Sequence, residues 1–303
     1  MALVTNALIQ ALMVGFKKLF QDAQEATPSH WDKVATRVPS TTKSNTYGWL
    51  GQFPEMREWI GDRVLKSIKE FGYSIINKDW ESTVDVKRTD IEDDEVGVYT
   101  PLFQEAGRAA KVKPDQLVFK ALKDGRATLC YDGQNFFDTD HPVYANSDGT
   151  GAVTNVANMD VDLVARPNNR IWYLLCTNRA IKPIIFQDRK APVFTAMTAL
   201  TDEVVFTSNK FRFGVDSRCN VGYGFWQMAF ASNQPLTKEN FAAAKAALES
   251  FTADGGNPLG IEATLLVVPP TLEGAGRELL VKDANGGNEW AGSAELLKTA
   301  WIA

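Results

Sequence analysis

Between Tyr73 and Gly125 the apolar positions change period once, and the rest of the chain is organised around that change. Trp80, Ser82, Val84 and Val86 point one way and Glu81, Thr83, Asp85 and Lys87 the other. This two-residue alternation predicts a strand with one covered face. Five acids in the six residues 90–95 follow. They suit a helix start, where carboxylates meet unpaired N–H groups and the positive end of the dipole. Beyond them Leu102, Phe103, Ala106, Ala109 and Ala110, then Leu117, Phe119, Ala121 and Leu122, recur at helical spacing. Pro114 is expected to kink or restart this long helix, and Gly125 to cap it.

The flanking segments read more simply. Leu8, Leu12, Phe16, Leu19 and Phe20 share one face of an amphipathic helix. Residues 21–45 are mostly polar and should lie along other surfaces. Residues 46–50 are strand-like, and Met56, Ile60, Val64, Ile68 and Phe71 then predict a helix between Pro54 and Gly72. Residues 131–168 are rich in turn signals. From 171 to 232 short β-like runs (172–176, 184–187, 204–207, 211–214 and 222–231) suggest an antiparallel sheet. Asn233-Gln234-Pro235 interrupts them. Thr237 then caps a helix with the stripe Phe241, Ala244, Leu248 and Phe251, with Leu236 as a hydrophobic staple. Residues 264–268 form an apolar strand stopped by Pro269-Pro270, and 272–280 a last helix.

Several blocks carry a family resemblance in their order along the chain. They are Ser44-Asn45-Thr46-Tyr47-Gly48-Trp49-Leu50-Gly51, Gly72-Tyr73-Ser74-Ile75, Phe103-Gln104-Glu105 and Cys130-Tyr131-Asp132-Gly133-Gln134-Asn135-Phe136-Phe137-Asp138. Gly222-Tyr223-Gly224-Phe225-Trp226-Gln227-Met228-Ala229 and Val267-Val268-Pro269 complete the set. With these blocks the chain resembles the major head subunit of Mu-like tailed bacteriophages, a branch of the Hong Kong 97 capsid fold. The resemblance implies an α+β fold with an N-terminal arm (1–45), an E-loop (46–92), a P domain with a spine helix (93–232) and an A domain (233–303). A single crossing at Asn233-Gln234-Pro235 is expected, with the sheet of residues 171–232 beside the spine helix. The implied function is self-assembly, through pentamers and hexamers, into an icosahedral head enclosing double-stranded DNA. The virion would be assembled in the bacterial host cytoplasm. An encapsulin-like compartment shell is the alternative, and it fits only the fold-level features.

Composition changes this picture little. Hydrophobic content of 45% and charged content of 23% are those of an ordinary globular chain. A net charge of −5 argues against a DNA-binding protein held by its own electrostatics, though a shell need not grip its contents. Cys130, Cys176 and Cys219 are scattered and suggest a reducing compartment. No stretch approaches the roughly 18 apolar residues of a membrane span, so no membrane partner is expected. The chain starts at the arm, with no coiled-coil extension that could act as an internal scaffold. A separate scaffolding protein is therefore expected, together with portal and decoration proteins.

Candidate chemistry is sparse. Asp138-Thr139-Asp140-His141, with Asp148 nearby, could supply metal ligands. The same residues make an ordinary turn, with Pro142 fixing the exit, and no second cluster in the sequence completes a coordination shell. The turn reading is preferred, and no metal or cofactor is expected. Two histidines, His30 and His141, leave no material for a catalytic triad, so no enzyme is expected. The candidate functional residues are instead Trp49, Trp59 and Trp80, in an arm with little core of its own. They either pack on the arm's own helix or anchor a neighbouring subunit.

Overall fold

The change of period becomes a ten-residue strand followed, after a short helix, by a helix of 25 residues. The computed structural model describes residues 5–51, 72–93, 96–199, 201–281 and 288–303. The predicted helix between Pro54 and Gly72 lies outside the described residues. The chain enters through α1 (Asn6–Ala26), α2 (Trp31–Val34) and β1 (Ala35–Pro39). The base of the arm is β2 (Ser44–Thr46) and β3 (Ser74–Ile76), and β4 (Lys78–Lys87), α3 (Arg88–Glu92) and the long α4 (Thr100–Asp124) follow. Next come β5 (His141–Tyr144), β6 (Val153–Val156), β7 (Met159–Asp160), β8 (Trp172–Leu175) and β9 (Ile184–Met197). The last part holds α5 (Glu203–Ser208), β10 (Lys210–Tyr223), β11 (Ala229–Ser232), α6 (Lys238–Glu249), β12 (Leu265–Val268), α7 (Glu273–Leu280) and β13 (Glu295–Lys298).

Helix α4 is continuous through Pro114, which neither ends nor restarts it. The proline removes one ladder bond, and packing on both sides of it holds the helix together. The buried stripe is Phe103, Ala106, Gly107, Val112, Asp115, Val118, Phe119, Ala121 and Leu122, whereas Leu102 and Ala109 face outward. The acidic run does not open this helix as expected. Asp90 lies in α3 and accepts a 2.6 Å bond from the Tyr99 hydroxyl, and α4 starts at Thr100-Pro101 instead. A proline suits that first turn, where its missing N–H costs nothing. Gly125 does end the helix, but with φ −59°, so no left-handed cap is involved. A Cβ there would lie 2.7 Å from the Phe137 ring, and close packing explains the glycine.

Two features fix how the N-terminal segment sits on α4. Gly107 lets α1 approach so closely that a Cβ would sit 2.2 Å from the Phe20 carbonyl oxygen. Asp115, buried within the apolar stripe, accepts from the Ser29 hydroxyl (3.0 Å) and from the backbone N–H groups of His30 (2.9 Å) and Trp31 (2.6 Å). That carboxylate satisfies the first turn of α2 and sets the corner after α1. From there β1 pairs parallel to β9, so residues 35–39 are part of a sheet rather than a loose arm.

The strands make two main sheets. One runs β1-β9-β10-β4 and the other β13-β12-β8-β11-β7. The alternation read in β4 is real: Trp80, Ser82, Val84 and Val86 are the more covered positions, and β10 pairs along the whole strand. The second sheet departs from expectation. β8 and β11, expected beside the long helix, pair with each other, and β8 also pairs with β12 from beyond Asn233. All four residues of β12 are buried, which suits a strand inside a sheet covered on both faces, and it lies between β13 and β8. Nor is Asn233 an exposed break. It is fully buried, its Oδ1 accepting from Asp162 N and Arg166 Nε and its Nδ2 donating to the Asp162 and Arg166 carbonyls. Residues 204–207, read as a strand, belong to the helix α5, which Asn209 ends at φ +51°. Its Val204 and Val205 are buried against Phe211 and Phe213, and this packing overrides their β preference.

Gly107→Ala should leave secondary structure intact but separate α1 from α4, at a cost of about 1–3 kcal/mol. A fall in thermal or denaturant midpoint of the subunit would show it. An unchanged midpoint would mean that α1 can shift without loss.

Candidate assembly surfaces

The base of the arm is anchored more firmly than its composition suggests. Tyr47, Leu50 and Ile75 are buried in the main core. The Tyr47 hydroxyl donates to Gln187 Oε1 (2.8 Å), while Gln187 Nε2 donates to the Ile75 carbonyl (3.0 Å) and Asn77 Oδ1 (2.8 Å). Asn77 in turn donates to Ser40 Oγ and the Thr42 carbonyl, both at 2.9 Å. One buried amide on β9 thus holds both legs of the arm. Burial also pushes the Tyr47 phenol up to about 12, so it stays a neutral donor.

Trp49 stands on this base and remains 39% exposed. It meets Tyr47 and Phe225 edge-on, with ring centroids 6.0 and 5.8 Å away. Trp80 is different. Its Nε1 donates to the Cys219 carbonyl (3.1 Å), and Lys113 Nζ of α4 lies 3.5 Å from its ring centroid. Burial lowers the Lys113 amine below its ordinary value. Trp80 therefore has a full set of partners within its own chain, on β10 and α4 rather than on an arm helix. Trp59 lies outside the described residues.

Other apolar side chains are left open at separate places. Phe206 on α5 is 86% exposed, and Val164 in the loop after β7 is 93% exposed. Val98 and Leu102 are exposed where α4 begins. Sequence reading missed Phe206 because it was placed in a strand. Its immediate neighbours Val204 and Val205 are the buried ones, and a helix of six residues is too short for its period to show in the sequence.

The turn after α4 resolves the candidate metal ligands. Asp138 accepts from the Asn135 backbone and side-chain N–H groups and from Thr139 N. Asp148 accepts from Thr150 N and Oγ1, so both carboxylates serve their own turns. His141 is not part of a surface turn: it is fully buried at the start of β5. Its Nδ1 lies 2.7 Å from Asp132 Oδ2, and the Cys130 thiol donates to Asp132 Oδ1 at 3.0 Å. Burial raises the Asp132 carboxyl, but the hydrogen bonds from His141 and Cys130 outweigh it and the net direction is downward. The aspartates read from the sequence do not converge with His141; Cys130 and Asp132 do.

A long helix backing one sheet, a second sheet, paired strands at the base of an arm and exposed apolar side chains define a shell-forming subunit of the Hong Kong 97 capsid fold. The comparisons agree. Residues 9–302 match the family described as the Mu-like prophage major head subunit gpT. The chain is 53% identical to the Mu-like prophage FluMu major head subunit of Haemophilus influenzae, over 93% of this chain and 92% of that one. It is 47% identical to the major capsid protein of Escherichia phage Mu, over 99% and 100% of the two chains. Among solved structures, the procapsid of bacteriophage JBD30 superposes with a TM-score of 0.85 at 54% identity, covering 99% of this chain and all of that one. The chain belongs to the Mu-like major head subunit family. It is a major capsid protein, a structural component of the phage head and not an enzyme, and the encapsulin-like alternative is not favoured.

Because Trp80 is held within its own subunit, Trp80→Ala should destabilise the isolated chain by about 2 kcal/mol through lost packing and the lost cation–π contact. Chemical denaturation of the unassembled subunit measures this. An unchanged midpoint with lower particle yield would instead place the role of Trp80 between subunits.

Proposed function

We propose that copies of this chain form pentameric and hexameric rings whose arms lap over neighbouring subunits, closing an icosahedral shell around double-stranded DNA in the host cytoplasm. The observation that carries this reading is the set of large apolar side chains left exposed at separate places along a chain that otherwise buries an extensive apolar core. Exposed apolar groups of this kind mark interaction sites, and a lattice subunit needs several of them. Trp49 at the base of the arm, Phe206 on α5 and Val164 beyond β7 are assigned to contacts between copies. By its place in the arm, Trp59 belongs to the same proposal. The acidic net charge suits a container that holds DNA without sequence specificity.

The P domain is proposed to be α4 with the β1-β9-β10-β4 sheet, and the A domain the β13-β12-β8-β11-β7 sheet with α6 and α7. On this division the chain passes between them more than once, because β9 and β10 lie between β8 and β11 in sequence. A separate scaffolding protein and a portal are proposed partners. The JBD30 capsid is described as decorated with minor capsid protein trimers, and decoration of the same class is proposed for this shell.

Phe206→Asp and Trp49→Ala test the assembly surfaces. Phe206→Asp should leave the subunit's stability within about 0.5 kcal/mol, since the side chain touches little within its own chain. Trp49→Ala should cost about 1 kcal/mol through its two edge-on contacts. Both should lower the yield of closed particles in electron micrographs and sedimentation. Wild-type yield in both variants would refute the assignment.

A further inference from the structure

The sequence set aside a metal site for lack of a second ligand cluster, and the fold supplies one. We propose that Cys130, Asp132 and His141 bind a borderline-soft divalent cation such as Zn²⁺, with water as the fourth ligand. Three donors of three kinds converge here, their ligand atoms all within 4.8 Å of one another. Cys130 is 5% exposed and His141 fully buried. Thiolate, imidazole and carboxylate together favour Zn²⁺ over Mg²⁺ or Ca²⁺, which prefer oxygen alone.

The site is built rather than accidental. Cys130 and Asp132 sit in one tight turn, closed by Cys130 N donating to the Gln134 carbonyl (2.8 Å) and by Gly133 at φ +89°. His141 enters from β5 with its ring stacked on Trp226, centroids 4.1 Å apart and planes within 9°. Its Nε2 is buried with no hydrogen-bond partner, so Nδ1, facing Asp132, is the ring's only engaged polar atom. Asp132 also borders a cavity of about 120 Å³, shared with Trp226 and Gln227, from which water can reach the carboxylate side of the cluster.

The present spacings of 2.7 and 3.0 Å are hydrogen bonds. Tetrahedral coordination sets neighbouring ligand atoms about 3.4–3.6 Å apart, which small side-chain rotations reach. On binding, the Cys130 S–H bond breaks and its proton leaves to solvent as the S–Zn bond forms. The imidazole proton moves from Nδ1 to Nε2, and the metal takes the Nδ1 lone pair. No electrons are transferred. Two positive charges then meet one thiolate and one carboxylate, a neutral set suited to a buried place. The bound ion would clamp the turn after α4 to β5.

Particles purified without chelator from cells grown with added Zn²⁺, or with added Co²⁺, decide the matter. Elemental analysis should find about one metal per chain, and the Co²⁺ form should show a thiolate-to-cobalt charge-transfer band. Both should be lost in Cys130→Ser and kept in Cys176→Ser, and metal should raise the Tm of the wild type but not of Cys130→Ser. Wild-type particles without metal or without the thiolate band, or equal uptake by Cys130→Ser, would overturn the site. If Cys130→Ser does not fold, the wild-type metal content and cobalt spectrum decide alone.

Discussion

The structure depends on one helix being shared by two cores. At 25 residues, α4 is about 37 Å long. Its first half meets α1 and the β1-β9-β10-β4 sheet, where Phe103 stacks on Phe16 (4.1 Å) and meets Phe213 edge-on (5.3 Å). Its second half sends Val118, Phe119 and Leu122 into the larger core, which also contains the residues of β8, β11 and β12. A helix resists bending because the ladder hydrogen bonds along its convex side must lengthen. It therefore acts as a strut that relates the two sheets, and damage to its seating should reach both.

Buried polar side chains provide the registration that apolar packing lacks. Gln187 ties both legs of the arm to β9, Asp115 ties the N-terminal corner to α4, and Asn233 ties the loop after β7 to the end of β11. Apolar contact tolerates sliding, whereas these groups lose about 1–3 kcal/mol each when a partner moves away. The result is one fixed placement for segments distant in sequence. A shell subunit needs this, because its neighbours must meet the same surface every time.

The same logic separates inside from outside. Trp80, a candidate anchor from the sequence, has partners within the chain, on Cys219 and beneath Lys113. Trp49, Phe206 and Val164 remain partly or largely open. Tryptophan content alone does not distinguish the two cases, since an aromatic ring on a strand can face its own sheet or a neighbour.

What the sequence determined by itself were the elements with a sustained period or a local chemical signal. The alternation of β4, the stripe of α4, the cap of α6 at Thr237 and the apolar run of β12 were all legible, as was the family through its ordered blocks. These depend on residues within a few positions of each other. Pro114 misled because the local cost of a lost ladder bond is outweighed by packing from distant segments. Residues 204–207 misled because burial, not β preference, chose their conformation. Which strands pair, which carboxylates lie inside, and the meeting of Cys130 and Asp132 with His141 were decided only by the tertiary structure. Partners such as Leu175 and Leu265, or Gln187 and Asn77, are about a hundred residues apart. Nothing in the local pattern of either encodes the other; their contact exists only once both cores have closed around α4.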